Sequence, residues 1–317
     1  YKFTETPLLK RMDAVKDYFI DSWETLKGRN ISEDDQEMLQ MKFDKMYTTK
    51  DIYTIYNWML DDCGCDLLPE VPYEKRKLPY EDVFPMLYLK YRLSGGNSTH
   101  KNIKHLVIDE MQDYSYLQYT ILESLFHCRM TILGDRAQTL DTKQQDVLRF
   151  LPKLLGREIR TIEIKKSYRN TLEIARYAEK VSGVSDLELL DRHGKEVVEK
   201  TFNTDTELLD ELVCHLKCPG DFETAALITT TEEEAFDLSR LLKLRGINVS
   251  YVDRNSSAFK KGLTVTTFYL AKGLEFDQVF ALRGAKENPL KNQAEYICAT
   301  RALHELYIYE ITDSLSK

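Results

Sequence analysis

Between His105 and Asp113 the sequence reads His-Leu-Val-Ile-Asp-Glu-Met-Gln-Asp, an apolar run that ends in three carboxylates, Asp109, Glu110 and Asp113, and one amide, Gln112. A short buried strand would deliver these groups at its C-terminal end, the edge at which open parallel sheets bind ligands. In nucleotide hydrolases the first acid after such a strand holds Mg2+, and the next can polarise a water for attack on a phosphoryl group. An acidic strand-to-helix loop that merely caps the next helix would carry similar residues. A second apolar run, Thr131-Ile-Leu133, leads into Gly134-Asp135-Arg136-Ala137-Gln138-Thr139. Two neighbouring strands of one sheet would then set acidic and amide groups side by side. Gln138 suits phosphate sensing, because its amide donates hydrogen bonds without adding charge.

The elements that must position these groups follow from periodicity. From Tyr1 to about Lys77 the pattern is helical, with apolar residues three and four apart in Met12 to Leu26 and again in Ile52 to Leu60. The acidic stretch after Ser32 reads as a helix start, with Ser32 as N-cap. Pro69, Pro72 and Pro79 break the helices and mark a boundary. Beyond Leu78 short β-rich runs alternate with helical ones, which predicts an α/β fold with parallel sheets. Strands are expected at Ile103 to Ile108, Met130 to Leu133, Thr161 to Ile164, Ala225 to Thr229, Val249 to Val252, Leu263 to Thr267, Gln278 to Leu282 and Leu306 to Glu310. Helices are expected at Thr171 to Val181, Thr206 to Leu216 and Glu232 to Leu244. The predicted organisation is a helical segment over 1–77, a first α/β stretch over 78–155, and a second α/β domain over 156–317.

Bulk properties bound the answer. A chain of 317 residues, 43% of them hydrophobic, can supply a core to each of two domains. Its apolar runs are strand-sized, far below the roughly 20 residues that span a bilayer, so no membrane partner is expected. The net charge of −8 argues against coating nucleic acid by bulk electrostatics. Six scattered cysteines read as reduced thiols of a cytoplasmic protein, and neither Cys63 and Cys65 nor Cys214 and Cys218 has the second ligand pair that zinc needs.

Five stretches together carry a family resemblance. Ile108-Asp-Glu-Met-Gln-Asp113 and Gly134-Asp-Arg-Ala-Gln138 resemble motifs II and III of the UvrD/Rep-like helicases of superfamily 1. Lys166-Ser-Tyr-Arg-Asn170 resembles motif IV, Ala271-Lys-Gly-Leu-Glu-Phe-Asp277 motif V, and Tyr296-Ile-Cys-Ala-Thr-Arg-Ala302 motif VI. The resemblance implies two RecA-like domains of P-loop NTPase type, the first one incomplete, with ATP and Mg2+ as cofactors. It assigns Asp109 to the metal, Glu110 to the hydrolytic water and Gln138 to coupling the nucleotide state to a bound strand. Tyr168 would stack on the adenine, Glu275 would accept from the ribose, and Lys272 and Gly273 would lie at the nucleotide. Arg169 and Arg301 would neutralise charge on the phosphoryl oxygens, a task suited to their planar forks.

Two features depart from the family pattern. Tyr269 stands where motif V usually has His, and the phosphate-binding Gly-x-x-x-x-Gly-Lys-Ser/Thr loop does not occur in the chain. Since the family carries that loop on the opening strand of its first domain, the chain reads as a fragment that starts partway through that domain and is inactive alone. The interval between motifs IV and V also has no room for the accessory domain of Rep and UvrD. That shortness, with Asp113-Tyr114-Ser115 after Gln112, is more similar to the HelD-like branch associated with RNA polymerase. The function implied is ATP-driven movement on single-stranded DNA. The alternative is ATP-dependent remodelling of RNA polymerase with little unwinding, in which the segment 1–77 would belong to an insertion reaching the polymerase.

Overall fold

The computed structural model describes residues 2–95, 100, 102–135, 138, 147–156, 159–183, 188–217, 222–254, 256, 261–283 and 289–311. The chain divides into two compact units, 1–133 with 146–158 and 134–145 with 159–317. Gly134, Asp135 and Gln138, read from sequence with the first α/β stretch, group with the second unit.

The first unit opens with α1 (Leu8–Lys27), which stops where Gly28 turns left-handed at φ 63° and its N–H donates to the Glu24 carbonyl. Next comes α2 (Glu33–Asp44), with Ser32 as its N-cap: the Asp35 N–H donates to the Ser32 hydroxyl, and Glu33, Asp34 and Asp35 fill the first turn. Neither helix buries a residue fully. By contrast α3 (Ile52–Asp62) buries Tyr53, Tyr56 and Leu60 with Leu68, against Met86 and Leu89 of α4 (Tyr80–Ser94). The α/β part follows as β1 (His105–Ile108), α5 (Tyr116–Leu125), β2 (Arg129–Ile132) and α6 (Val147–Leu155). The two strands pair in parallel, from His105 opposite Arg129 to Ile108 opposite Ile132. Ile108, Tyr119, Val147 and Leu151 form the core beneath them.

The second unit runs through β3 (Lys166–Ser167), α7 (Leu172–Ser182), β4 (Glu188–Leu189), β5 (Val198–Phe202), α8 (Asp205–Lys217), β6 (Thr224–Thr229), α9 (Glu232–Leu244), β7 (Val249–Tyr251), β8 (Gly262–Thr267), β9 (Phe276–Arg283), α10 (Lys291–Arg301) and β10 (Ala302–Ile311). Six of these strands form a parallel sheet in the order β5-β10-β9-β6-β8-β7. A sheet buried on both faces explains why β6, Thr-Ala-Ala-Leu-Ile-Thr, lacks polar alternation. Ala226 and Ile228 face a cluster with Ile174 and Ala178 of α7 and Ile297 of α10. Leu227 faces the opposite cluster, with Leu208 and Leu212 of α8 and Leu238 and Leu242 of α9. This layered architecture with an all-parallel sheet is the α/β fold with parallel sheets that the sequence predicts.

Two local expectations need correction. Thr161 to Ile164 alternates like a strand, yet 159–165 has no regular structure, and Ile162 and Ile164 are 70% and 77% exposed. Alternation sets the faces of a strand but cannot supply a ladder partner, and pairing begins only at Lys166 opposite Glu188. Conversely β5, Val-Glu-Lys-Thr-Phe, was too polar to announce itself, and forms because its backbone completes the edge beside β10.

Candidate functional site

The acidic cluster sits where β1 ends. Leu133 N–H donates to the Ile108 carbonyl, and Met111 N–H donates to the Leu133 carbonyl, both at 2.8 Å, so the chain must cross from β1 toward the end of β2 within three residues. Glu110 absorbs this turn with φ 53° and ψ 49°, and among the described residues it is the one non-glycine with positive φ. A left-handed glutamate costs about 1–2 kcal/mol, strain of the kind that collects at functional positions. Its carboxylate is aimed rather than loose, because buried Gln112 donates to it at 2.5 Å. Asp109 is exposed, and its carboxylate accepts from the Glu110 N–H at 2.8 Å. Below, buried Tyr119 donates to the Met111 carbonyl at 3.1 Å, and Ser115 with Gln118 closes a capping box at the start of α5. Burial pushes the Tyr119 hydroxyl well above its ordinary pKa, so it remains a donor.

In the second unit the remaining residues fall into two groups. Arg301, last in α10, is 2% exposed. Its guanidinium donates to the Leu274 carbonyl and to the Gln138 side-chain oxygen, each at 3.3 Å, and to the Thr300 hydroxyl at 3.2 Å. Gln138 in turn donates to Asp135 at 2.9 Å, and Asp135 accepts from the Tyr296 hydroxyl at 2.9 Å. Burial, with Asp135 beside it, raises the Tyr296 pKa and keeps that hydroxyl protonated. The second group is solvent-facing. Arg169 pairs with Glu275 at 3.3 Å, both about half exposed, and the Tyr168 ring is 62% exposed. Gly273 takes φ 77° in the turn between β8 and β9 that leads to Glu275, a conformation that favours glycine. Lys272 precedes it in the same turn.

The structure therefore joins Arg169 to Glu275 and Gln138 to Arg301, and it joins Asp109 to Glu110 and Gln112. Gln138 belongs to the second unit, whereas Asp109 and Glu110 belong to the first. Arg136, Ala137 and Thr139 lie outside the described residues.

Several supporting residues carried no role in the sequence reading. Asn170 is buried and donates from one amide nitrogen to the carbonyls of Ala299 and Ala302, at 3.2 and 2.6 Å, which fixes the end of α10 around Arg301. Arg192 donates to the Arg169 carbonyl at 3.1 Å. Asp277 serves the backbone: its carboxylate accepts from the N–H groups of Glu223 and Thr224 and from the Thr224 hydroxyl. Burial opposes its ionised form, but these donors prevail and hold its pKa below the ordinary value. Tyr269 donates to Glu232 at 2.8 Å, an acid also paired with Arg254. The letters of the motifs pointed to Asn170 and Asp277, but nothing in their spacing told a nucleotide contact from a backbone brace.

Residues 7–140 match the UvrD/REP helicase N-terminal domain, a stretch that takes in the helical segment, β1, β2 and the acidic cluster. Among solved structures the chain is similar to the C-terminal domain of a possible DNA helicase from Lactobacillus plantarum, with 26% identity, 46% of this chain and 88% of that chain covered, and a TM-score of 0.39. No curated protein matches the chain. No helix among the described residues is long and apolar enough to cross a membrane.

Proposed function

We propose that this chain is part of a UvrD/Rep-like superfamily 1 motor that couples ATP hydrolysis to movement on single-stranded DNA. The observation that carries the proposal is that the stretch matching the helicase N-terminal domain encloses a parallel strand ending in an exposed Asp109 and a strained, hydrogen-bonded Glu110. Bound Mg·ATP would supply the reactive phosphoryl group and the charge that polarises it. Asp109 suits the metal as an exposed, hard oxygen donor. Glu110 would take the proton of the attacking water at its carboxylate, with Gln112 fixing the direction. Tyr168 offers an open ring face to a base, and Glu275 offers an acceptor to a ribose hydroxyl once Arg169 turns toward phosphate. Arg301 fits less directly, since its guanidinium is buried and already bonded to Gln138, an interaction that phosphate oxygens would have to replace. A phosphate cradle is not found in the sequence, so no step is assigned to the β-phosphate.

A second reading, a remodeller of RNA polymerase of HelD-like type, is favoured by one observation: β6, α9, β7 and β8 follow one another within 224–267 with no inserted domain. The experiment is single-stranded-DNA-stimulated phosphate release by the full-length gene product, with and without Glu110→Gln. DNA-stimulated turnover that falls by orders of magnitude in the variant supports the motor. Turnover indifferent to DNA, with co-purification of RNA polymerase, supports the second reading. Unchanged turnover in the variant removes Glu110 from the mechanism.

A further inference from the structure

Away from the acidic cluster, the first unit holds a groove of about 540 Å3 between α3 and the extended segment 67–72. A volume of that order accommodates a few bulky side chains. We propose that it docks a cationic, apolar segment of another protein, an inference independent of the helicase reading.

The groove is built rather than incidental. Asn57 grips the extended segment through both ends of its amide, donating to the Leu68 carbonyl at 3.0 Å and accepting from the Leu68 N–H at 2.9 Å. Tyr53 donates to the Pro69 carbonyl at 2.8 Å. Arg76 closes one end, with both terminal nitrogens on Asp51 at 2.9 Å and its guanidinium 4.4 Å from the centre of the Tyr53 ring. These contacts hold the walls apart without a ligand, which lowers the ordering cost of binding.

The lining names the occupant. Leu68 turns into the core, while its neighbour Leu67 stays 55% exposed and Trp58 on the facing helix 47% exposed. Aromatic side chains held on rigid elements are favoured anchors of protein interfaces. From Asp51 to Glu74 the sequence has six acidic residues, Asp51, Asp61, Asp62, Asp66, Glu70 and Glu74, with its nearest bases at the two ends, Lys50 before and Lys75, Arg76 and Lys77 after. Asp51 is compensated by Arg76, whereas Asp61 and Glu70 are exposed residues of the groove lining. These two carboxylates attract Lys or Arg flanking an apolar side chain.

The test uses a synthetic acetylated Lys-Leu-Arg-Leu-Lys-Leu peptide, with Glu-Leu-Glu-Leu-Glu-Leu and Lys-Ser-Arg-Ser-Lys-Ser counterparts, titrated calorimetrically into the chain. Tryptophan emission is followed in parallel, with Trp58→Phe separating Trp58 from Trp23. Saturable binding of the first peptide alone, weakened about tenfold or more by the pair Asp61→Asn and Glu70→Gln and again by Leu67→Ser on the other wall, is expected for a charge-assisted anchor. All three positions are exposed, so the variants should melt as the wild type does. Equal binding of the acidic or the serine peptide overturns the proposal, as does an unchanged affinity in both variants. Self-association of the chain that Leu67→Ser abolishes also overturns it, by making a second copy the occupant.

Discussion

Asn170→Ala isolates how the end of α10 is held. The Asn170 side chain is buried, and its amide nitrogen donates to two carbonyls, of Ala299 and Ala302, about 130 residues away in sequence. Deleting the amide leaves both acceptors in a site where water does not enter freely. A buried group that loses its partner costs about 1–3 kcal/mol. One of the two bonds is long, so the expected loss is roughly 2–4 kcal/mol for the second unit. At about 2–4 °C per kcal/mol for a domain of this size, its transition should move down by roughly 5–15 °C. Both tryptophans, Trp23 and Trp58, lie in the first unit, whereas far-ultraviolet dichroism sees helices of both units. The assay is therefore a thermal melt followed by both signals on the same sample. The dichroism transition should shift and the tryptophan transition should not. A loss below about 0.5 kcal/mol, the range of an ordinary surface substitution, would refute the bracing role, and so would an equal shift of both signals.

Further outcomes follow from the same contacts. Arg283→Met should destabilise the second unit by about 3–5 kcal/mol, because it removes the cation bonded at 2.7 and 2.9 Å to the carboxylate of Glu295, 10% exposed, and leaves that charge with the Tyr177 hydroxyl as donor; the pair Arg283→Met with Glu295→Leu should recover most of that loss in chemical denaturation. Glu173 bonds His193, which holds its pKa down at about 2 against an ordinary 4.5, while Glu173 and Asp191 raise His193 above 6.5. The acid contributes above pH 4.5 and loses its contribution as pH falls toward 2; the histidine contributes below pH 6.5 and loses its contribution as pH rises through its raised value. The difference in melting temperature between wild type and Glu173→Gln should accordingly be largest between pH 4.5 and 6.5, and a difference flat in pH would exclude the pair. The fragment 159–317, which carries the whole six-stranded sheet, should melt cooperatively by itself, and a molten product would count against that. The 317-residue chain should release no phosphate from ATP above background; robust turnover would mean that the phosphates are held by groups other than those assigned.

Much of the second unit was legible because its strands are buried on both faces and therefore apolar throughout, and because its helices carry their own start signals. Thr231 and Glu234 form a capping box at α9 that local sequence alone can announce. The failures have one physical origin. Thr161 to Ile164 has the alternation of a strand and no partner, while β5 has a partner and little alternation, and a ladder partner is a long-range property. The candidate site shows the same division. Resemblance singled out Arg169, Glu275, Gln138 and Arg301 one at a time, as candidates, but the pairings of Arg169 with Glu275 and of Arg301 with Gln138 join residues 106 and 163 positions apart. No local spacing encodes them.

Those pairings constrain how the site could work. A guanidinium that is 2% exposed must be bonded, since an unpaired buried charge costs several kcal/mol. Arg301 meets that demand in part with the oxygens of Leu274, Thr300 and Gln138. A phosphate oxygen would offer a charged acceptor, whose bond is roughly twice as strong as one to a neutral oxygen. A phosphate oxygen that replaced Gln138 at Arg301 would free the Gln138 carbonyl while leaving the Gln138 amide on Asp135. Asp135 would stay tied to α10 through Tyr296, four residues before Thr300 in that helix. Tyr296→Phe keeps the ring and removes the tie. It should leave the fold intact and raise amide exchange at Asp135 and Gln138 by about fivefold, as expected for loss of roughly 1 kcal/mol of hydrogen bonding; unchanged exchange would show that these residues are held by other means.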